Sequence, residues 1–417
     1  MYYKEIFPNG VRVVIEEIPS VQSVSIGVWV SVGSKDEDAQ GNGISHFLEH
    51  MIFKGTKSKT ALQIAQIMDS IGGHVDASTG REHTCYYAKV LNKHLSLTIE
   101  LLADIFFNSI FNPIEIEKEK QVIIEEIKMY EDTPDELIHD LFIQTLWDSH
   151  PLGQPILGKV GVIKNITHDK LINFWTSRYT PYEIVIAVAG HVQKDKVINQ
   201  LFKFFGSQTG INWRTTNDIP KLKSCSNFQF RKLEQVHLCL GTRGLSCTHE
   251  DRFVLRILSL ILGGGMSSRL FQKIREENAL AYNVHAYPLS YKNAGALIVY
   301  VGVSPKNYKE TTQIILNEFN NLKNELVDEE ELLNAKEKLQ TALCLNAEDT
   351  SYRMSRLAEQ EIYFNKFFSI EETLKLINKV SVTDLKRIAQ ELFKNEYLCL
   401  AGIGPLNKRE GKIVLEC

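Results

Sequence analysis

The chain has 417 residues, 44% of them apolar and 24% charged, with a net charge of −4 and a pI near 6.3. That length and apolar content suffice for two cores of about 200 residues each. The weakly acidic balance gives no electrostatic reason to bind nucleic acid or anionic lipid, and no run of about 18 apolar residues offers a membrane span. The opening Met1-Tyr2-Tyr3-Lys4-Glu5 has neither an apolar signal core nor an Arg-rich leader, so a cytoplasmic protein is expected. The seven Cys residues are odd in number and never in a C-x-x-C arrangement, which reads as reduced packing residues.

Residues 11–16 and 24–32 alternate apolar and polar side chains at period two and predict strands. After Gly41-Asn42-Gly43 comes a helix bearing His46-Phe47-Leu48-Glu49-His50. At 100° per residue, His46 and His50 share one face about 6 Å apart, and Glu49 lies roughly 60° round from His46. Two imidazoles can therefore grip one ion with a carboxylate leaning over it. The order H-x-x-E-H is that of the inverzincin zinc peptidases, and a chain with 12 His would produce it by chance only about 0.03 times. The blander alternative is an amphipathic helix with satisfied histidines, which suits a lone His better than two His and a Glu on one turn.

A further strand is predicted at 84–90, and the next informative segment begins at Asn112-Pro113, a cap followed by a proline at the first helical position. Ile116, Ile123 and Ile127 form its buried stripe, while Glu119 and Glu126, seven residues apart, share a face. Catalytic zinc takes three protein ligands and keeps one open position. Glu126 is the candidate third ligand, with Glu119 supporting the site from behind. Glu117 and Glu125 read as solvated partners of nearby lysines, although spacing alone does not choose between Glu125 and Glu126.

Weak internal repetition organises the rest. Residues 86–90 correspond to 299–303, Glu131-Asp132-Thr133 to Glu348-Asp349-Thr350, and 184–190 to 398–404, at offsets of 213, 217 and 214. These predict a duplicated unit, with domains 1–212 and 213–417 joined through the polar stretch 207–221. Each half is expected to be α+β, a mostly antiparallel sheet with helices packed on one face. The repeat sets Leu343 opposite Glu126 and Lys336 opposite Glu119, while Leu255, Leu258 and Ser259 fall opposite His46, Glu49 and His50. One Zn²⁺ per chain follows. Gly263-Gly264-Gly265 is not a phosphate cradle, because no Lys-Ser/Thr follows it; a flexible helix connection is the plain alternative.

On these residues the chain resembles the pitrilysin/insulinase metallopeptidases, in the short two-domain branch typified by mitochondrial processing peptidase and its bacterial relatives. Further matching segments are His50-Met51-Ile52-Phe53-Lys54-Gly55-Thr56, Ala77-Ser78-Thr79, Glu82-His83-Thr84-Cys85-Tyr86-Tyr87 and Pro151-Leu152-Gly153, spread over nearly the whole chain. The resemblance implies that Glu126, the Glu before Ile127 and 76 residues past His50, is the third ligand and that Glu119 is the accessory carboxylate. It implies two like domains closing as a clamshell around a cavity. It also implies a peptide lying along Val75, Asp76, Ala77, Ser78 and Thr79, a cavity bordered by Gly263, Gly264 and Gly265, and Arg275 and Tyr282 reaching the substrate. Asp76 departs from the Asn that the family often has there. The chemistry expected is hydrolysis by zinc-activated water, with Glu49 taking and returning the proton. The resemblance further implies a homodimer, or a heterodimer with an inactive homologue. Two rivals share these features. One is a non-catalytic relative serving as scaffold or regulatory subunit; the other is the small lyase with the same H-x-x-E-H order, against which the doubled length speaks.

Overall fold

A computed structural model describes residues 1–210, 218–221, 223–406 and 415–417. The chain forms two compact units: Met1–Lys128, Gln154–Thr216 and Leu345–Phe367 make the first, and Met129–Gly153, Asn217–Cys344 and Phe368–Cys417 the second. The expected boundary between residues 212 and 213 lies outside the described residues. The division also differs from a single cut, since each half of the chain sends one helix into the unit built mainly from the other half.

The first unit holds a six-stranded sheet of β1 (Tyr2–Ile6), β2 (Arg12–Glu17), β3 (Ser23–Val30), β4 (His74–Thr79), β5 (Thr84–Leu91) and β6 (Ile184–Gly190), in the order β1-β2-β6-β3-β5-β4. Only β2 and β6 run parallel. In the second unit β7 (Cys225–Phe230), β8 (Val236–Arg243), β9 (Ala281–Ser290), β10 (Gly295–Val303) and β11 (Cys399–Gly404) take the order β7-β11-β8-β10-β9, with β7 and β11 the parallel pair. This is the first order with β1 removed. The sequence repeats fall on equivalent elements, pairing β5 with β10 and β6 with β11.

Alternation along β3 sends Val24, Ile26, Val28 and Val30 into the main core of the first unit, beneath its principal helix layer. Trp29 points the other way, with Val14, Cys85, Val185, Ala187 and Ala189. Every residue of β6 is buried, as a strand covered on both faces must be. The second cover is the exchanged helix Thr350–Phe364, which packs Met354, Leu357 and Ala358 there. Ser25 shares hydrogen bonds with Thr350 and Ser351, and buried Glu361 pairs with Lys4 at 2.8 Å. The second unit repeats the device: Ile138, Phe142, Ile143 and Trp147 of helix Pro134–Trp147 cover Cys239, Ala296, Ile298, Cys399 and Ala401. Both exchanged helices start at a Glu-Asp-Thr copy, the first just after Thr133 and the second at Thr350. All seven cysteines are unbridged, and among the described residues no helix is long and apolar enough to cross a membrane.

On the second of these covers, helix Pro134–Trp147, His139 shares a hydrogen bond with Tyr287 through its Nδ1. Burial, reinforced by His285, pushes the His139 imidazole down to about 4, and burial alone does the same to His83 in the first unit. Both values lie below the ordinary 6.5, so the unfolded chain takes up protons that the fold refuses. The stability involved is complete above about 6.5 and is lost as pH falls toward about 4. Urea unfolding at pH 5 is therefore expected to show a stability lower than at pH 7 by on the order of 1–2 kcal/mol per histidine, and His139→Phe should flatten part of that slope.

Candidate metal centre

The motif helix Ile44–Ile52 begins at Gly43, whose φ of +95° suits glycine and whose added Cβ would strike Ile163 and the Leu157 carbonyl. No side chain at Gly43 can cap the helix. Glu37, from the preceding turn, performs that function: its carboxylate accepts from Gly43 N at 2.7 Å, Ser45 N at 2.8 Å and Asn42 Nδ2 at 3.1 Å. Burial pushes Glu37 up to about 7 against the pull of these donors. Glu37→Ala would strand the donors at a buried helix start, with an expected loss on the order of 2–4 kcal/mol, read as a lower urea midpoint.

The acidic helix Pro113–Glu131 starts as its sequence predicts, with Asn112 Oδ1 accepting from Ile114 N at 2.8 Å. Ile116, Ile123, Ile124 and Ile127 are buried beneath it. Glu117 and Glu125 pair with Lys120 and Lys128 at 2.7 and 2.8 Å, as solvated partners. This separates Glu125 from Glu126, because the next residue round the helix faces the histidines.

Donor atoms of His46, His50 and Glu126 lie within 4.8 Å of one another, the one such cluster of three among the described residues. His46 Nε2 is 3.7 Å from Glu126 Oε1, and His50 Nε2 is 3.6 Å from Glu126 Oε2. Ligands about 2.1 Å from a tetrahedral zinc stand roughly 3.4 Å apart, so this donor set fits that ion. His50 Nδ1 meets Glu119 Oε1 at 2.8 Å, which leaves Nε2 turned toward Glu126. Glu119, only 3% exposed, is held from its other oxygen by Lys54 Nζ at 2.7 Å. Burial raises the Glu119 pKa, but His50 and Lys54 outweigh it and the carboxyl lies below its ordinary value.

His46 is neutral: burial and the neighbouring His50 push it down to about 3. Burial acts the same way on His50, yet the bond to Glu119 and the carboxylates of Glu126, Glu119 and Glu49 prevail and raise it. The centre thus favours positive charge. Glu49 is half-buried and its pKa is raised, by burial first and by Asp76 and Glu126 in addition. The Thr79 hydroxyl donates to Glu49 Oε2.

Thr79 closes β4, an edge strand whose sole sheet neighbour among the described residues is β5. Along it Val75, Ala77 and Thr79 are half-buried, whereas Asp76 and Ser78 are exposed. Asp76 lies 3.5 Å from His74 Nε2 and accepts from Tyr87 at 3.4 Å. In the second unit Arg275 stacks on Tyr282 at 4.5 Å, within the π-helical segment Phe271–Glu277 and the start of β9; Tyr282 is 78% exposed. The glycine run has a packing explanation. A Cβ on Gly263 would lie 2.5 Å from Ala286 N, and Lys338 Nζ donates to the Gly264 carbonyl. The residues set opposite the ligands by the repeat, Leu255, Leu258 and Ser259, are all buried in helix Arg252–Gly263, with no metal-binding side chain among them.

Sequence reasoning missed Lys54 and Glu37. Lys54 carried a signal, since it stands four residues after His50 and so on the same side of the turn. Glu37 carried none.

Two like α+β units, one bearing a His-x-x-Glu-His helix that faces a carboxylate helix, define the class of two-domain proteins of the zinc-protease type. The chain belongs to the insulinase family, peptidase family M16: residues 12–160 match that family and residues 165–339 match its domain described as the peptidase M16 inactive domain. A Bacillus subtilis protein described as the uncharacterized zinc protease YmxG is 42% identical over 95% of this chain and 97% of its own. A Rickettsia felis protein described as an uncharacterized zinc protease is 36% identical over 96% and 97%. Among solved structures, a protease from Helicobacter pylori matches at TM-score 0.90 with 24% identity, over 97% of this chain and 99% of its own. A Pseudomonas fluorescens structure described as a peptidase M16 inactive domain matches at 0.91 with 18% identity over both whole chains. At these identities the structural likeness carries the fold.

Proposed function

We propose that this chain is a zinc-dependent endopeptidase that hydrolyses peptides or leader sequences in the cytoplasm, with one zinc per chain. The observation that carries the reading is the convergence of His46, His50 and Glu126 from two separate helices, beside the carboxylate of Glu49. His46 and His50 would hold the ion through their imidazoles and Glu126 through its carboxylate. When bound, zinc supplies Lewis-acid polarisation and a more acidic water. Lys54 holds Glu119, and Glu119 aligns His50 by its bond to Nδ1. Glu49, steadied at Oε2 by Thr79, takes the proton of the attacking water and delivers it to the leaving amine.

The free edge of β4 suits an extended peptide added as a further strand, with backbone pairing along residues 75–79 and preference set by neighbours such as Asp76 and Ser78. Arg275, Tyr282 and the loop Gly263 to Gly265 are assigned to substrate contact in the same reading, with Arg275 or Tyr282 donating to the developing oxyanion. The working form proposed is a homodimer, or a heterodimer with an inactive homologue. Metal analysis joined to cleavage of a quenched peptide tests the core of it. The expected result is one zinc per chain and turnover that stops on chelation and returns with zinc; protein that stays metal-free and inert after zinc is supplied overturns it.

A second reading, a non-catalytic scaffold or regulatory subunit, draws on the match of residues 165–339 to a domain described as inactive. All of the metal set lies within residues 12–160, outside that match. The same assay separates the two.

A further inference from the structure

Cys225 and Cys399 lie 174 residues apart in sequence, yet their sulfurs are 3.1 Å apart in the second unit. They open the two parallel strands β7 and β11 and are direct register partners. Side chains of register partners leave a sheet on the same side. Neighbouring strands run about 4.8 Å apart, within the Cα separations of about 4.4–6.8 Å that a disulfide spans. The two thiols differ in setting: Cys399 is fully buried, whereas Cys225 is half-buried on a strand that has one neighbour among the described residues. Cys225 is the less buried of the two, its Sγ also lying 3.4 Å from the Thr145 carbonyl, and Cys399 sits behind it. The hydrogen bond shared with Cys399 outweighs burial and, helped by Lys223, holds the Cys225 thiol below its ordinary value. Cys85 and Cys239, by contrast, are deeply buried, with pKa values raised by burial.

We propose that Cys225 and Cys399 form a redox-active dithiol that closes to a disulfide on reaction with a low-molecular-weight disulfide, stapling strand β7 to β11. The Cys225 thiolate attacks one sulfur of the reagent, expels one small thiolate and forms a mixed disulfide. Cys399 then gives up its proton and attacks the Cys225 sulfur, releasing the second small thiol. Two protein thiols are oxidised, one reagent disulfide is reduced, and both protons end on the two small thiols. Neither step involves the metal centre.

The test is to treat the full chain with oxidised glutathione and map its proteolytic peptides without reduction. The expected product is a linked Cys225–Cys399 peptide pair, about 2 Da lighter than the two thiol peptides and separated by dithiothreitol, with little glutathione retained on Cys225. In Cys399→Ser, glutathione should instead accumulate on Cys225. Wild-type protein that keeps glutathione on Cys225 without a linked pair, or that leaves Cys225 unreacted while exposed Cys344 reacts, overturns the proposal. Because the decisive measurement is made on the wild-type chain, misfolding of the variant does not affect it.

Discussion

Replacing Glu49 by Gln is expected to leave a folded, zinc-binding chain whose peptide hydrolysis falls by at least about 100-fold, the lower end of what one positioned proton carrier contributes. The substitution keeps the shape of the side chain and an oxygen able to accept from Thr79, so the helix and its imidazoles keep their places. It removes the atom that can accept a proton. Glu49 is also outside the His46, His50 and Glu126 donor cluster, so metal content is the control: one zinc per chain with turnover abolished matches the assignment, whereas wild-type-like turnover would end it. The pKa of Glu49 is raised, by burial first, which makes its carboxylate a better proton acceptor.

Glu126→Ala is expected to give the larger loss of metal, because it removes one of three donors and leaves two imidazoles with no anionic ligand. The measured quantity is zinc affinity by competition with a coloured chelator, for which a drop of well over 100-fold is expected. Glu119→Gln should cost less, about 10- to 100-fold, the usual effect of losing a partner that aligns a ligand. Glu125→Ala, one residue away, should change nothing beyond a surface pair with Lys128. Equal losses at 125 and 126 would show that the acidic helix acts through its overall charge and not through one carboxylate. An unchanged affinity in Glu126→Ala would remove residue 126 from the centre.

Much of this centre is legible in sequence because helix geometry is local. A four-residue spacing puts His46 and His50 on one side whatever the rest of the chain does, and Asn112-Pro113 fixes where the acidic helix begins. Choosing Glu126 over Glu125 needs the meeting of two helices, which spacing within either one does not encode. Glu37 lies further still from view, since its carboxylate reaches the helix start from a separate turn. The duplication is visible in the Glu-Asp-Thr copies, but a repeat does not say against which sheet the following helix will pack. One signal did point there: the unbroken apolar run of β6 requires cover on both faces. Gly263 also has a steric requirement that its neighbours in sequence do not reveal, the backbone of Ala286.

The exchanged helices also order events in time. A ribosome that has finished residue 210 has made all six strands of the first sheet, yet the helix that will shield Trp29, Val185 and Ala187 is still some 140 codons away. Until then the nascent chain carries an oily surface open to chaperones or to unwanted association. A gene split between the halves would give two fragments, each lacking the cap made by its sibling, and solubility would return only when both are produced together.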